Sequence, residues 1–427
     1  MDDSTTPVDL AARTAAAFDH HSATQAADPH SIFKILREAC PIFWSEQNGG
    51  HWGVTRFDDC EAVLHDTETF SSRSVTVPAS IFGDGGFPVL PPITLDGEAH
   101  RNFRKIVMPA FSPKTIDRWE GITRETCREF IEEFAGNGAG GGTGAGSCDA
   151  AQDYARRIPI RVVSIMVGIP PEDEGLFSSW IHRLVDVGGA NLEEIATAGA
   201  EMMVYFAGII ADHRANPRDD LLTILINAEI DGDSLSDEQL LGFLFLMITA
   251  GMDTTWSVLG DILCHLGQHP GDRARIAADP GVIPAAIEEM LRVYSPAVLA
   301  RVVTRDVDFR GVQMKAGQSV LICYPAANRD PRAFADPERV DFDRYPNRHV
   351  GFGLGTHRCL GVALARMELR VALEEWFARI PDFEVSAPEQ VRWGAGPVRG
   401  PKTLPVRFPP MNVTNRPSTP ETRGVSA

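Results

Sequence analysis

Cys359 stands in the run Gly351-Phe352-Gly353-Leu354-Gly355-Thr356-His357-Arg358-Cys359-Leu360-Gly361. Three alternating glycines make this backbone permissive enough for a tight loop that a flat ligand can approach closely. After the cysteine, residues 362–377 read as a helix, with Leu364, Met367, Leu369, Val371, Leu373 and Trp376 among charged residues. The sulfur therefore sits at a helix N-terminus, where free N–H groups and the positive end of the dipole favour a thiolate. A thiolate in a glycine-opened loop suits axial ligation of a haem iron, because cysteine donates electron density that favours O–O cleavage.

A second constellation lies in the middle of an apolar stretch. Ser236 with Gln239 three residues on forms a capping box, and the helix it opens runs through 241 to about 267. At its centre are Ala250-Gly251-Met252-Asp253-Thr254-Thr255. Small residues, an acid and β-branched alcohols are poor choices for a buried helix interior, and such local rule-breaking marks function. A positioned carboxyl–hydroxyl pair supplies protons. Elsewhere, His100 and Arg104 are four apart on a predicted helix, a pairing suited to an anion. Glu289 and Arg292, three apart on a predicted helix over 283–294, form an ion pair of ordinary kind.

These residues need a large scaffold. The chain has 427 residues, 44% of them hydrophobic, and no Pro/Gly/Ser linker near its middle, so one large two-lobed domain over 29–408 is expected. Residues 1–28 are polar and Ala-rich and read as a flexible segment; Asp2 and Asp3 stand where a signal peptide would carry basic residues. Residues 409–427 are rich in Pro, Ser and Thr and read as a disordered tail. The longest strongly apolar run, 240–251, is too short to span a bilayer, so a soluble cytoplasmic protein, a monomer, is expected. A net charge of -18 argues against nucleic-acid binding. The seven cysteines are scattered, odd in number and without a C-x-x-C pair, which indicates neither a disulfide framework nor a zinc site.

In chain order, 32–39 reads as a helix. Residues 42–44 and 51–55 form a hairpin around Asn48-Gly49, and 57–66 returns to helix. Residues 71–96 form a Pro/Gly-broken loop that nonetheless carries Ile81, Phe82, Phe87, Val89 and Leu90, the mark of a packed loop or a pocket wall. Residues 115–135 read as an amphipathic helix, 136–146 as a Gly-rich connection, and helices dominate from 151 to 269. Strands follow around 302–303, 307–309, 312–314 and 319–322, with a final hairpin over 391–408.

Phe352, Gly353, Gly355, His357, Cys359 and Gly361 reproduce the Phe-x-x-Gly-x-x-x-Cys-x-Gly loop of the haem-thiolate monooxygenases, and the chain resembles that family, the cytochromes P450, over 29–408. The resemblance implies a mainly α fold with a smaller β-rich lobe, and haem b between a long distal helix and the Cys loop with its proximal helix. It makes Cys359 the iron ligand, with Phe352, His357 and Gly361 around it. The run from Ala250 resembles the family's distal motif: Gly251 leaves room for dioxygen, Asp253 gates a proton relay, and Thr254 donates a hydrogen bond toward the oxygen. His100, Arg104 and Arg301 are implied as haem-propionate partners. Glu289 and Arg292 match the family's Glu-x-x-Arg, with Arg339 as their implied structural partner.

The resemblance further implies dioxygen as co-substrate, and electrons from NAD(P)H through a reductase and a small iron–sulfur ferredoxin. The chain itself has no Gly-x-Gly-x-x-Gly fingerprint and no ferredoxin-type cysteine run. Arg104, Lys105, Lys114, Arg118, Arg358 and Arg366 form a candidate basic docking patch. Asn48–Trp52, 283–286 and 376–383 are most similar to the soluble bacterial camphor hydroxylase group, but 71–96 holds no tyrosine to bind a ketone, so camphor is not the expected substrate. Ile81, Phe82, Phe87, Val89, Leu90, Met247, Val298 and Leu299, with Pro397 and Val398 at the last hairpin's tip, suit a terpenoid or alkyl-aromatic compound. A monooxygenase or O-demethylase acting on an aromatic carboxylate, anchored by Arg73, is the alternative. Two readings from other classes are a thiol hydrolase using Cys359 and His357, whose spacing is poor for a nucleophile–base pair, and a haem sensor, against which the intact Asp253–Thr254 pair speaks.

Overall fold

The computed structural model describes residues 7–79, 89–138, 146–181, 183–184, 192–230 and 232–410. Its organising element is the central helix Asp237–Gln268, opened by the expected Ser236/Gln239 capping box and buried along most of its length. Arg157–Val167, Leu192–Ala215, Ile283–Tyr294 and Val362–Arg379 pack around it, and Glu120–Gly138 lies along Val362–Arg379. One large apolar cluster, including Phe103, Phe130, Phe206, Phe243, Trp256 and Trp376, fills this helical lobe. The mainly α fold with a smaller β-rich lobe is as expected.

The β lobe is a five-stranded sheet in the order Ile42–Ser45, His51–Val54, Ser319–Ile322, Leu299–Val303, Phe70–Ser71. The predicted hairpin turn holds: Asn48, Gly49 and Gly50 all have positive φ. Strand Ser319–Ile322 pairs in parallel with His51–Val54 of the hairpin and antiparallel with Leu299–Val303. This sheet has its own two cores, around Val54, Phe70 and Val320, and around Phe33, Phe43 and Leu321.

Three expectations are corrected. The segment 1–28, expected to be flexible, holds helices Pro7–Ala16 and Ala23–Ala27 over its described part, with Ala11, Ala15 and Phe18 buried. Phe18 packs on Phe33 and Phe43, so its few apolar side chains close the edge of the sheet despite the polar composition. The single helix expected over 115–135 is broken into Pro113–Ile116, a tight turn Asp117–Trp119, and Glu120–Gly138. The hairpin over 391–408 is only partly formed. Arg392–Trp393 pairs with Pro401–Thr403, but Pro405–Phe408 joins Glu384–Val385 and Gly146–Asp149 in a separate sheet. The Leu404 N–H donates to Asp149 Oδ1 at 2.9 Å and its carbonyl accepts from the Ala150 N–H at 2.8 Å, which draws the strand across. Of the tail expected over 409–427, residues 411–427 lie outside the described residues.

Among the described residues two helices are long and apolar enough to cross a membrane, contrary to the expectation that no segment is. Asp237–Gln268 is mostly buried inside the protein, as a core helix must be, while Glu193–Ala215 is 22% buried over its most apolar window.

Glu368, on Val362–Arg379, is 1% exposed and neither carboxyl oxygen has a partner among the described residues. Burial pushes it up from its ordinary 4.5 to about 8. Between those values the folded chain keeps a proton that the unfolded chain releases, so stability falls as pH rises through the window, by on the order of 1 kcal/mol per pH unit. Thermal unfolding of the holoprotein at about pH 5 and about pH 7 should show this slope, and Glu368→Gln should flatten it; an equal slope in the variant removes Glu368 as its source.

Candidate active site

The cysteine loop is shaped by backbone that only glycine tolerates. Gly353 and Gly355 have φ +65° and +68°, and a Cβ on Gly355 would lie 2.9 Å from the Leu64 carbonyl. The turn closes when the Cys359 N–H donates to the Phe352 carbonyl at 2.9 Å. Gly361 caps Val362–Arg379, so the sulfur lies at the helix N-terminus as the sequence predicts. Burial pushes the Cys359 thiol up, while the Gly361 N–H, Arg104 and Arg358 pull it down. The residue is nonetheless exposed. The surrounding protein thus desolvates a side chain that solvent still reaches.

The central helix opens on the interior in the same way. Ala250 is exposed and Gly251 and Thr254 are half-buried, although Met247, Met252, Asp253, Thr255 and Trp256 around them are buried. Gly251 meets nothing nearer than Val163, whose methyl would be 3.7 Å from a Cβ. Thr254 Oγ1 donates to the Ala250 carbonyl at 3.0 Å, which fixes its rotamer. Asp253 Oδ1 lies 3.5 Å from Lys402 Nζ. Lys402 belongs to Pro401–Thr403, and the sequence reading assigned it nothing because its partner lies 149 residues away.

The predicted anion partners converge. Arg301 is 3% exposed; its Nη1 donates to the Ala300 carbonyl, but its Nε has no partner among the described residues. Burial lowers its pKa, opposed by Tyr324 and Asp96. His100 Nε2 is likewise buried and unpartnered, and burial, then His357 and Arg104, lower that imidazole to about 4. The His100 and His357 rings lie 4.1 Å apart, and His357 Nε2 is 3.5 Å from Asp96 Oδ1. Asp96 also accepts from Ser71 Oγ at 2.5 Å and the Ser72 N–H at 3.1 Å. It orients the imidazole pair, a role the sequence reading missed although Asp96 stands four residues before His100. Arg104 is half-buried and donates from Nη2 to the Arg358 carbonyl at 2.6 Å. Buried polar atoms left without partners call for an occupant, and the Arg301 guanidinium favours an anionic one. The residues present therefore fit a haem: Cys359 would hold the iron, and Arg301, His100 and Arg104 its carboxylates. When bound, that group supplies dioxygen activation, while this chain's residues would position it and Asp253 and Thr254 would offer a proton source.

Glu289 and Arg292 are fully buried and doubly bonded, at 2.8 and 2.9 Å. Arg292 also donates to the carbonyls of Asn328, Pro337 and Arg339. The expected third side chain is corrected: Arg339 is exposed and contributes only its carbonyl. Arg344 Nε contacts both Glu289 oxygens at 3.1 Å, and Asn347 Nδ2 donates to Glu289 at 3.1 Å. Five residues further along, the chain has turned back toward the helix.

Of the expected pocket wall, Ile81, Phe82 and Phe87 lie outside the described residues. Leu90 is 4% exposed and packs in the helical core, whereas Val89 is exposed. Met247 and Val298 are buried and Leu299 half-buried. Pro397 and Val398 come to this strand: the Val298 N–H donates to the Pro397 carbonyl, and Val398 bridges Ala297. Arg73 is exposed. In the basic patch, Lys105, Lys114, Arg118 and Arg358 are exposed, but Arg366 is held by Glu288 at 2.6 and 2.7 Å and lies over the Phe352 ring. Among the described residues no hydrogen bond joins Cys359 to His357, whose partners are Asp96 and His100; a hydrolase dyad lacks its contact.

A cysteine at a helix N-terminus, a buried arginine and imidazole each with an unpartnered nitrogen, and an acid–alcohol pair on an opened helix are the features a haem-thiolate oxygenase needs. A family model for cytochrome P450 matches residues 184–279 and 281–392. The chain is 32% identical to the polyketide biosynthesis cytochrome P450 PksS of Bacillus subtilis, over 89% of this chain and 95% of that one. It is 34% identical to the mycinamicin IV hydroxylase/epoxidase of Micromonospora griseorubida, over 83% and 89%. A solved structure of a mutant of P450 EryK in complex with erythromycin B superposes with a TM-score of 0.80 at 34% identity, covering 92% of this chain and 99% of that one. The chain belongs to the cytochrome P450 family, whose members use haem b, dioxygen and electrons that come from NAD(P)H through partner proteins.

Proposed function

We propose that this cytochrome P450 inserts one oxygen atom from dioxygen into a small, mostly apolar substrate of terpenoid or alkyl-aromatic kind, in the cytoplasm, with a ferredoxin as electron donor. The observation that carries the reading is the opened strip Ala250–Gly251–Thr254. It is small and uncharged, Met247 lies one turn before it on the same helix, and the other candidate wall residues, Leu299, Pro397 and Val398, carry no charge. Such a surface rewards apolar area rather than charge. Lys105, Lys114, Arg118 and Arg358 are the exposed cations for an acidic ferredoxin. The exposed position of Arg73 removes support from the aromatic-carboxylate alternative.

The test is optical titration of the holoprotein with a bicyclic terpene, an alkylbenzene, a benzoate and a macrolide, the last because relatives carry macrolide and polyketide names. A spin-state shift with the terpene or alkylbenzene, turned over to a hydroxylated product, supports the proposal. A shift confined to the macrolide or to the benzoate overturns it.

A further inference from the structure

Asp253, Ser257, Asp261 and His265 recur at every fourth residue of the central helix. One face of a buried helix therefore carries carboxyl, hydroxyl, carboxyl and imidazole in line. Packing alone has no use for them. Ser257 and Asp261 are 0% and 1% exposed, and among the described residues neither Ser257 Oγ nor either Asp261 oxygen has a hydrogen-bond partner. The cation beside Asp261 is Arg399, whose Nη1 is 3.9 Å away, beyond hydrogen-bond reach. Each such unmade bond opposes folding. Burial pushes Asp261 up to about 8, against the pull of Arg399, so at neutral pH it is a carboxylic acid, able to give one proton and accept another.

Both ends of the line lead somewhere. Toward the surface, His265 Nε2 lies 2.8 Å from Asp272 Oδ2, a side chain 34% exposed, and His265 Nδ1 lies 2.7 Å from the Tyr294 hydroxyl. Burial keeps His265 neutral by lowering its pKa, and a neutral imidazole exchanges protons through its two nitrogens. Tyr294 is near enough to Asp261 for the carboxylate charge to raise its pKa, after burial. Tyr294 and Arg399 also line a cavity of about 30 Å³ together with His20, His30 and Ser295, room for a water. Toward the active site, Ser257 leads one turn back to Asp253, and Thr254 beside it opens on the cleft.

We propose that this face is a proton line from Asp272 at the surface to the Asp253–Thr254 pair, with Asp261 as its resident donor. A solvent proton enters through Asp272 and His265 and reaches Asp261 by way of the Tyr294 hydroxyl and water. Asp261 releases its own proton toward Ser257, whose hydroxyl accepts one and gives up another toward Asp253, each transfer passing through a bridging water because neither Ser257 Oγ nor the Asp261 oxygens make a direct hydrogen bond among the described residues. Each group returns to its starting state: one proton leaves solvent, one arrives at Thr254, and no electron moves. The titratable and charged groups that face Asp261 are Cys264 and His265 on its own helix, Tyr294 on the adjacent one, and Arg399 on the last hairpin.

The test uses the holoprotein with dioxygen, a surrogate ferredoxin and its reductase, and no organic substrate. Reducing dioxygen to hydrogen peroxide takes two electrons and two protons, and reducing it to water takes four of each. The peroxide formed per reduced nicotinamide consumed therefore reports proton delivery. Asp261→Asn and Ser257→Ala should each raise that share about threefold and enlarge the solvent deuterium isotope effect on oxygen uptake, with the carbon monoxide spectrum unchanged. Independently, the infrared spectrum of wild-type holoprotein at neutral pH should contain a buried protonated-carboxyl band that Asp261→Asn removes, distinct from one removed by Glu368→Gln. An unchanged peroxide share and isotope effect in Ser257→Ala, or no Asp261 band in the infrared, overturns the proposal even if Asp261→Asn fails to hold haem.

Discussion

Cys359→Ala is expected to abolish the strongly red-shifted Soret band that the reduced, carbon monoxide-saturated holoprotein should show, and to lower monooxygenase turnover by at least about a thousandfold. The physical ground is that the loop concentrates support on one sulfur. Gly353 and Gly355 adopt left-handed backbone, the Phe352 carbonyl holds the Cys359 N–H, and the Gly361 N–H, Arg104 and Arg358 stabilise negative charge there. No other side chain in the loop donates electron density of that kind. Cys323→Ala is the control, since Cys323 is buried in the core of the β lobe, and its spectrum should match the wild type. A wild-type band at the position of histidine-ligated haem, or a red-shifted band that survives Cys359→Ala, would remove the sulfur from the iron.

The second large effect concerns the buried ion cluster. Arg292→Ala leaves Glu289 fully buried without its main partner and the Asn328 and Pro337 carbonyls without that donor, while the Arg339 carbonyl keeps Arg344. Breaking such a pair costs about 3–5 kcal/mol, a large share of the stability of a folded chain, so the variant should be recovered largely without haem. Arg344→Ala should lie between that variant and wild type, because Arg344 is 10% exposed and contacts both Glu289 oxygens. Arg339→Ala should change the unfolding midpoint little, since its side chain is exposed and only its carbonyl is used. Denaturant unfolding of the three variants orders them, and an Arg339 variant weaker than the Arg344 variant would contradict this assignment.

Much of the site was legible because its signals are local. The Ser236/Gln239 cap, the helix 283–294 and the strands around 307–322 depend on neighbours within a few residues, and they fall where periodicity and turn chemistry place them. The glycine loop and the acid–alcohol pair are local in the same sense, which is why composition that is wrong for packing marked them. Misreadings came from contacts between distant segments. Phe18 is one apolar residue in a polar stretch, and only the sheet edge it covers turns residues 7–27 into packed helices. Pro405–Phe408 left its hairpin because Asp149 offers a better acceptor.

By itself, the sequence determined the family, and it singled out Cys359 and the central helix with its acid–alcohol pair as the candidate site, since each is written as residue types at fixed spacing along one element. Tertiary structure alone decided which partners those residues meet. Lys402 on Asp253, Asp96 on His357, Arg344 in place of Arg339, and Asp272 and Tyr294 on His265 join separate segments. The reason is physical: hydrogen bonds and ion pairs act over about 3–4 Å in space, a distance that separation along the chain does not encode.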